Sequence, residues 1–150
     1  MIQRIQSIYL FLAAVLLLLT AFLPVAQLLR GGYLHNIYLS GLLDEETGLM
    51  EQNLWLPTLA FLSAFTAVAT IFLYKDRSRQ MRIVRLNIFI STLTAMAVPI
   101  TVHYIKADEL DVLAFKVPVV FPVVSTILMV LAYRGIKKDD NLVRSADRLR

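Results

Sequence analysis

The charged residues of this chain leave four long uncharged windows, which constrain the fold more than any other feature. They cover residues 5–29, 52–74, 86–105 and 117–133. A helix needs about 20 mostly apolar residues to cross the hydrocarbon core of a bilayer, within a range of about 17–25. Lipid leaves the backbone of an open strand without hydrogen-bond partners, so each window predicts a membrane helix.

The composition agrees with one membrane domain. Hydrophobic residues make up 58% of the chain and charged residues 17%, against roughly 45–50% and about 25% in soluble domains. The first window is longer than the apolar part of a cleaved signal peptide, so we expect it to remain as a helix. We predict an all-α four-transmembrane-helix bundle over residues 1–150. The predicted spans are 5–29, 54–74, 84–105 and 117–134.

The distribution of lysine and arginine predicts how the bundle is threaded. The N-terminus, loop 75–85 and tail 134–150 hold 12 of the 15 basic residues, whereas loops 30–53 and 106–116 hold three. Seven of the 11 acidic residues lie in the second group, so the formal charge is +8 on one side and −4 on the other. The positive-inside rule therefore places both termini in the cytoplasm. The basic character of the chain indicates topology, and we predict no nucleic-acid partner.

The loop after the first span predicts a small β-hairpin on the outer end of the bundle. Residues 33–40 are rich in strand formers, and residues 44–48 have turn chemistry. We expect the glycines at 31 and 32 to end the first helix, because glycine readily supplies a C-cap.

All five prolines fall in the outer half of the predicted bundle or at its edge. Pro57 and Pro118 lie near helix starts, where proline is tolerated. Pro24, Pro99 and Pro122 lie deeper, where each is expected to kink its helix. Two interpretations stay open: a splayed outer end that contains a cavity, or the higher proline content of membrane helices in general.

Small residues form a stripe on the second span at i, i+3, i+4 and i+7. They are Ala60, Ser63, Ala64 and Ala67. Such a stripe lets helix backbones approach closely, either inside the bundle or against a helix of another protein.

The residues inside the predicted spans indicate neither proton transfer nor catalysis. The four uncharged windows contain no Asp, Glu, Lys or Arg, which argues against a proton-coupled transporter. Asn87 is the most polar span residue, and we expect it to snorkel to the interface or to bond to a helix, and not to form a site. No nucleotide-binding or nucleophile motif is present, so we predict a non-enzyme with no catalytic residue and no cofactor.

Two histidines, His35 and His103, are weak metal candidates at the predicted outer interface, near acidic residues at 44–46 and 108–111. Such groups can bind zinc, and two imidazoles at equal depth can bracket a haem. The spacing fixes no ligand set, so we predict interfacial histidines and no metal site.

Loop 75–85 is a basic cluster that can bind anionic lipid headgroups, although topology alone also accounts for it. Its cations are Lys75, Arg77, Arg79, Arg82 and Arg85.

The tail predicts a short cytoplasmic amphipathic helix. Leu142, Ala146 and Leu149 share a helical face, and Asp140 precedes Arg144 by four residues. This helix is expected to be solvated, to lie on anionic lipid or to dock on a partner.

The chain opens with MIQRIQSIYL and closes with IKKDDNLVRSADRLR. These end motifs, together with four spans in 150 residues, resemble a family of small Bacteroidota inner-membrane proteins, domain of unknown function 4293. The resemblance covers the whole chain and implies the four-span fold and a bacterial inner membrane. It implies no activity, cofactor or catalytic residue.

We therefore predict a non-enzymatic interaction subunit or adaptor that presents its cytoplasmic tail to a protein partner. The predicted interaction residues are Gln3, Arg4, Gln6, Arg144, Asp147, Arg148 and Arg150. The alternatives are a small passive transporter or lipid-handling protein that uses the proline-kinked outer half, and a metal- or haem-binding protein at the outer face. The lipid bilayer is an expected partner, and a homo-oligomer is a further option.

Overall fold

Four helices form the framework of the protein. The computed structural model describes residues 2–30, 33–43, 50–52, 54–74, 76–106 and 111–148. The helices are α1 (Ile2–Phe22), α2 (Trp55–Phe72), α3 (Arg77–Lys106) and α4 (Phe121–Arg148). Each is long and apolar enough to cross a membrane. Helix α1 packs against α2 and α4, and α3 packs against the same two helices, which confirms the predicted four-helix bundle.

A five-stranded antiparallel sheet covers one end of the bundle, which we call the sheet end. Its strands are β1 (Ala26–Arg30), β2 (Tyr33–Tyr38), β3 (Gly41–Leu43), β4 (Met50–Gln52) and β5 (Asp111–Phe115). Their order in the sheet is β4-β3-β2-β1-β5. The predicted hairpin is therefore part of a larger sheet that joins both loops of this end, and "all-α" describes the fold too narrowly.

The first helix ends earlier than predicted. Helix α1 stops at Phe22, and β1 occupies most of what was expected to be its last two turns. Alternate residues Ala26 and Leu28 are buried, a period of two that suits a strand. Because α1 ends at Phe22, the glycines at 31 and 32 do not end this helix, which corrects that expectation; both glycines lie outside the described residues.

One face of the sheet packs on the helices and fills the sheet end. Side chains of β1 and β2 that point to the bundle meet apolar side chains from α2 and α3. The buried cluster is Ala21, Val25, Ala26, Leu28, Ile37, Leu39, Leu56, Ala60, Val98 and Val102. On a more exposed part of the sheet, Lys116 Nζ donates to Asn36 Oδ1 at 2.9 Å, which ties the segment after β5 to β2.

The prediction that three prolines kink their helices is wrong for Pro24 and Pro122. Pro24 follows the end of α1, and Pro122 is the second residue of α4, directly after a 3₁₀ turn over Val117–Val120. Both positions tolerate proline: Pro24 lies outside any helix, and the N–H groups at a helix start such as that of Pro122 have no helical partner. Pro99 alone of the three lies inside a helix. The interpretation of the prolines as the cause of a splayed outer cavity needed three kinks, so this difference removes its basis.

The small-residue stripe of α2 is internal packing. Ala60, Ser63, Ala64 and Ala67 are all buried. The Ser63 hydroxyl donates to Asn87 Oδ1 at 2.6 Å, and Asn87 Nδ2 donates to the Ser63 carbonyl at 3.0 Å. Of the two expected arrangements, Asn87 therefore has the helix-bonded one, and its partner is on α2.

Candidate functional site

The end opposite the sheet, which we call the terminal end, carries the start of α1, the turn between α2 and α3, and the last part of α4. The tail predicted as a separate short helix is instead continuous with the fourth span, since α4 runs unbroken from Phe121 to Arg148. At 1.5 Å per residue, the part from Arg134 onward extends the helix by about 20 Å. We call residues 134–148 the α4 extension.

The root of the α4 extension is fixed to α1 and α3. Gln6 Nε2 donates to Asp139 Oδ2 at 2.7 Å, and Arg77 Nη1 donates to the Asp139 carbonyl at 3.3 Å. Ile136 is buried in the bundle core. A Cβ added at Gly135 would lie 2.9 Å from Gln6 Cγ, so glycine permits the close approach of the two helices here. These contacts fix the direction in which the extension leaves the bundle.

Beside this anchor lies a small polar cavity of about 20 Å³, lined by Gln6, Tyr74, Gln80 and Asp139 among others. A cavity of this size holds about one water molecule, so it is too small for an organic ligand.

The structure separates the predicted interaction residues into two groups. Gln6 is buried and bonded inside the chain, so its assignment to a partner surface is corrected. The backbones of the others lie in the first turn of α1 or the last two turns of α4: Gln3, Arg4, Arg144, Asp147 and Arg148. Arg150 lies outside the described residues.

Beyond its anchor, the α4 extension has exposed apolar side chains. Leu142 is 54% exposed and Val143 is 45% exposed, although both lie well past the last uncharged part of the span. Ser145 is also exposed, and its hydroxyl bonds back to the Leu142 carbonyl. This part of the helix is therefore presented away from the bundle.

The predicted basic cluster also divides into groups. Arg79 forms an ion pair with Asp76 at 2.8 Å, and Asp76 caps α3 by accepting from the Arg79 backbone N–H at 3.0 Å. Arg77 bonds to the Asp139 carbonyl of α4, and Lys75 lies outside the described residues. Arg82 and Arg85 remain, and both line a groove between α3 and α4.

This groove, which we call the α3–α4 groove, has a volume of about 440 Å³ and opens at the terminal end. Lys137 of α4 faces it together with Arg82 and Arg85, whereas Met81 and Tyr133 supply apolar and aromatic surface. Lys137 was not among the predicted lipid-binding residues, because the other cations of the groove lie on a different helix. Its helical position, four residues after Tyr133, was the available signal.

The two histidines occupy different environments. His35 is buried on the side of β2 that faces the bundle, whereas His103 is exposed on α3. Across the part of the chain that the structure describes, no three His, Asp or Glu side chains gather as a metal site would require. The acidic residues expected nearby at 44–46 and 108–109 lie outside that part.

Comparison with known proteins identifies the family of this chain but assigns no activity to it. No curated protein and no solved structure matches the chain. A family model described as a domain of unknown function, DUF4293, matches residues 2–149, which is nearly the whole sequence. The chain with this bundle, sheet and α4 extension therefore belongs to the DUF4293 family.

Proposed function

We propose that the protein is a non-enzymatic membrane adaptor that presents the distal part of the α4 extension, residues 142–148, to a protein partner. The observation that carries the proposal is the anchored continuation of α4 past its apolar span. A helix whose direction is already fixed loses less conformational entropy on docking than a free tail does.

The chemistry of the distal part suits a helix-in-groove contact. Leu142 and Val143 offer exposed apolar anchors, and the sequence places Arg144, Asp147 and Arg148 around them. Docked amphipathic helices use this combination of apolar anchors with a charged rim. The partner is therefore expected to carry an apolar groove bordered by charged residues of both signs.

We further propose that the terminal end faces the cytoplasm of a bacterium and that the protein lies in its inner membrane. The Gln6–Asp139 contact puts the start of α1 and the end of α4 at the same end of the bundle. That end contains 12 of the 15 basic residues by sequence, which favours a cytoplasmic location. The adaptor surface would then be available to a cytoplasmic protein or to the inner face of a membrane complex.

The test is affinity purification from the native membrane in mild detergent, with a tag near residue 46 so that both chain ends stay free. Removal of residues 142–150 leaves Ile136 and Asp139 in place, so the anchor is preserved. A narrower variant, Leu142→Ala with Val143→Ala, removes the apolar anchors alone. The matched control, Lys138→Ala with Asn141→Ala, alters two exposed polar positions on the same helix that precede residues 142–148.

We expect a stoichiometric partner that is lost from the deletion and the apolar variant and kept by the control. Retention of the partner by the deletion would overturn the proposal, as would purification of the unaltered protein without any partner.

A further inference from the structure

The α3–α4 groove is lined by cationic side chains that are not bonded to other groups at the terminal end. Arg77 and Arg79 are bonded to Asp139 and Asp76. Arg82, Arg85 and Lys137 form no hydrogen bond or ion pair with any residue in the described ranges. Three uncommitted cations in one groove repel one another, and an anionic ligand would relieve that repulsion.

The groove continues into the apolar surface of the bundle. On α3, Arg82, Arg85, Phe89 and Met96 follow one another at spacings of three, four and seven residues, so they share a helical face. Phe89 is 62% exposed and Met96 is 58% exposed, and both lie within the apolar span. A ligand bound to the cations at the end of the span can therefore extend a chain along this apolar face.

We propose that the α3–α4 groove binds an anionic phospholipid, with Arg82, Arg85 and Lys137 around its phosphate and Phe89 and Met96 along an acyl chain. Basic pockets between membrane helices bind anionic headgroups in this way. A free phosphate would use the cations but not the apolar face, so the groove favours the lipid.

The groove also contains one carboxylate, Asp140 on α4. Three cations against one carboxylate leave the lining basic. A carboxylate can accept a hydrogen bond from a headgroup hydroxyl, so the glycerol headgroup of phosphatidylglycerol fits the mixed lining. The site lies nearer the bundle than residues 142–148, and the lipid proposal is therefore independent of the adaptor proposal.

The experiment compares two charge-matched double variants of the full chain. Arg82→Gln with Lys137→Gln removes one groove cation from each helix. Arg79→Gln with Lys138→Gln also removes one cation from each helix, and neither of these residues lines the groove. Binding of phosphatidylglycerol to the purified protein in neutral detergent is measured by native mass spectrometry, with phosphatidylcholine and inorganic phosphate as comparison probes.

We expect the groove variant to weaken phosphatidylglycerol binding about tenfold or more, since each basic residue near a membrane surface contributes substantially to the attraction of anionic lipid. The control variant should change binding less than about twofold, because diffuse surface charge is weak and screened. Phosphatidylcholine should bind more weakly than phosphatidylglycerol, and millimolar phosphate should leave the lipid bound.

Equal weakening in both variants would overturn the proposal in favour of diffuse electrostatics, and displacement by inorganic phosphate would identify a free-anion site. An unchanged groove variant would also overturn it. Thermal unfolding of each variant tests the fold, and Arg85→Gln, which alters a single exposed side chain, provides the same comparison if the double variant unfolds.

Discussion

Gln6 Nε2 lies 2.7 Å from Asp139 Oδ2, although the two residues are 133 positions apart in the sequence. The bond joins the first helix to the last at the terminal end and so closes the ring of four helices. It also places the root of the α4 extension against the bundle, because Asp139 is held by Arg77 from α3 as well.

Gln6→Ala should loosen this anchor. The substitution removes a hydrogen bond to a carboxylate, and such bonds contribute about 1.5–3 kcal/mol. We therefore expect a lower unfolding temperature in detergent. Asn141→Ala, at an exposed position on the same part of α4, is the control and should leave stability nearly unchanged. An equal effect of the two substitutions would show that the Gln6 bond contributes nothing.

Gly135 and Gln6 should show energetic coupling. Alanine at 135 gains about 1 kcal/mol of helix propensity over glycine, but its Cβ would lie 2.9 Å from Gln6 Cγ. We expect Gly135→Ala to destabilise the protein when Gln6 is present and to stabilise it in a Gln6→Ala background. Thermal unfolding of the four proteins in the cycle measures the coupling. Additive effects would mean that the close approach carries no energy.

The spans could be predicted from the sequence because a run of about 20 apolar residues without charge is long enough to cross a bilayer and is rare elsewhere. The end of α1 could not. Residues 24–29 are as uncharged as residues 5–22 of α1, and only pairing with β2 and β5 makes Ala26–Arg30 a strand. Strand pairing depends on contacts remote in sequence, which a hydropathy window does not contain.

The candidate sites show the same limit. The sequence showed the basic cluster, but it did not show which of its cations are bonded within the chain and which line the groove. Arg79 is paired with Asp76, whereas Arg82 faces α4. Gln6 was predicted as a contact for another protein, yet its partner is Asp139 of the same chain. For Arg82 and Gln6, the deciding contact joins helices that no local pattern brings together.

Asn87→Ala should weaken the contact between α2 and α3. Hydrogen bonds between membrane helices contribute about 0.6 kcal/mol on average, and this substitution removes two. We expect a loss of about 1 kcal/mol, measured by reversible unfolding in mixed micelles. Thr92→Ala is the matched control, since Thr92 is exposed and its hydroxyl donates to the Ile88 carbonyl of its own helix. A loss as large for the control would contradict a specific role of Asn87.

Ala64→Leu should disrupt the bundle core. Ala64 is only 2% exposed, so a larger side chain forces the neighbouring helices apart, which typically costs about 1–3 kcal/mol. Phe65→Leu alters the adjacent residue, which is 73% exposed, and should have little effect. Unfolding temperature and monodispersity in detergent measure both. Tolerance of leucine at 64 would indicate that α2 packs more loosely than the structure shows.

Single cysteines test the proposed orientation directly, because the natural chain contains none. Ser145→Cys marks the exposed α4 extension, and Leu34→Cys marks an exposed position on β2. If the basic terminal end faces the cytoplasm, a membrane-impermeant maleimide added to intact spheroplasts should label position 34 and spare position 145 until the membrane is permeabilised. The reverse pattern would show that the terminal end faces away from the cytoplasm. Residues 142–148 could then not bind a cytoplasmic partner. Labelling of both positions in sealed spheroplasts would show a mixture of orientations, which the charge difference between the two ends argues against.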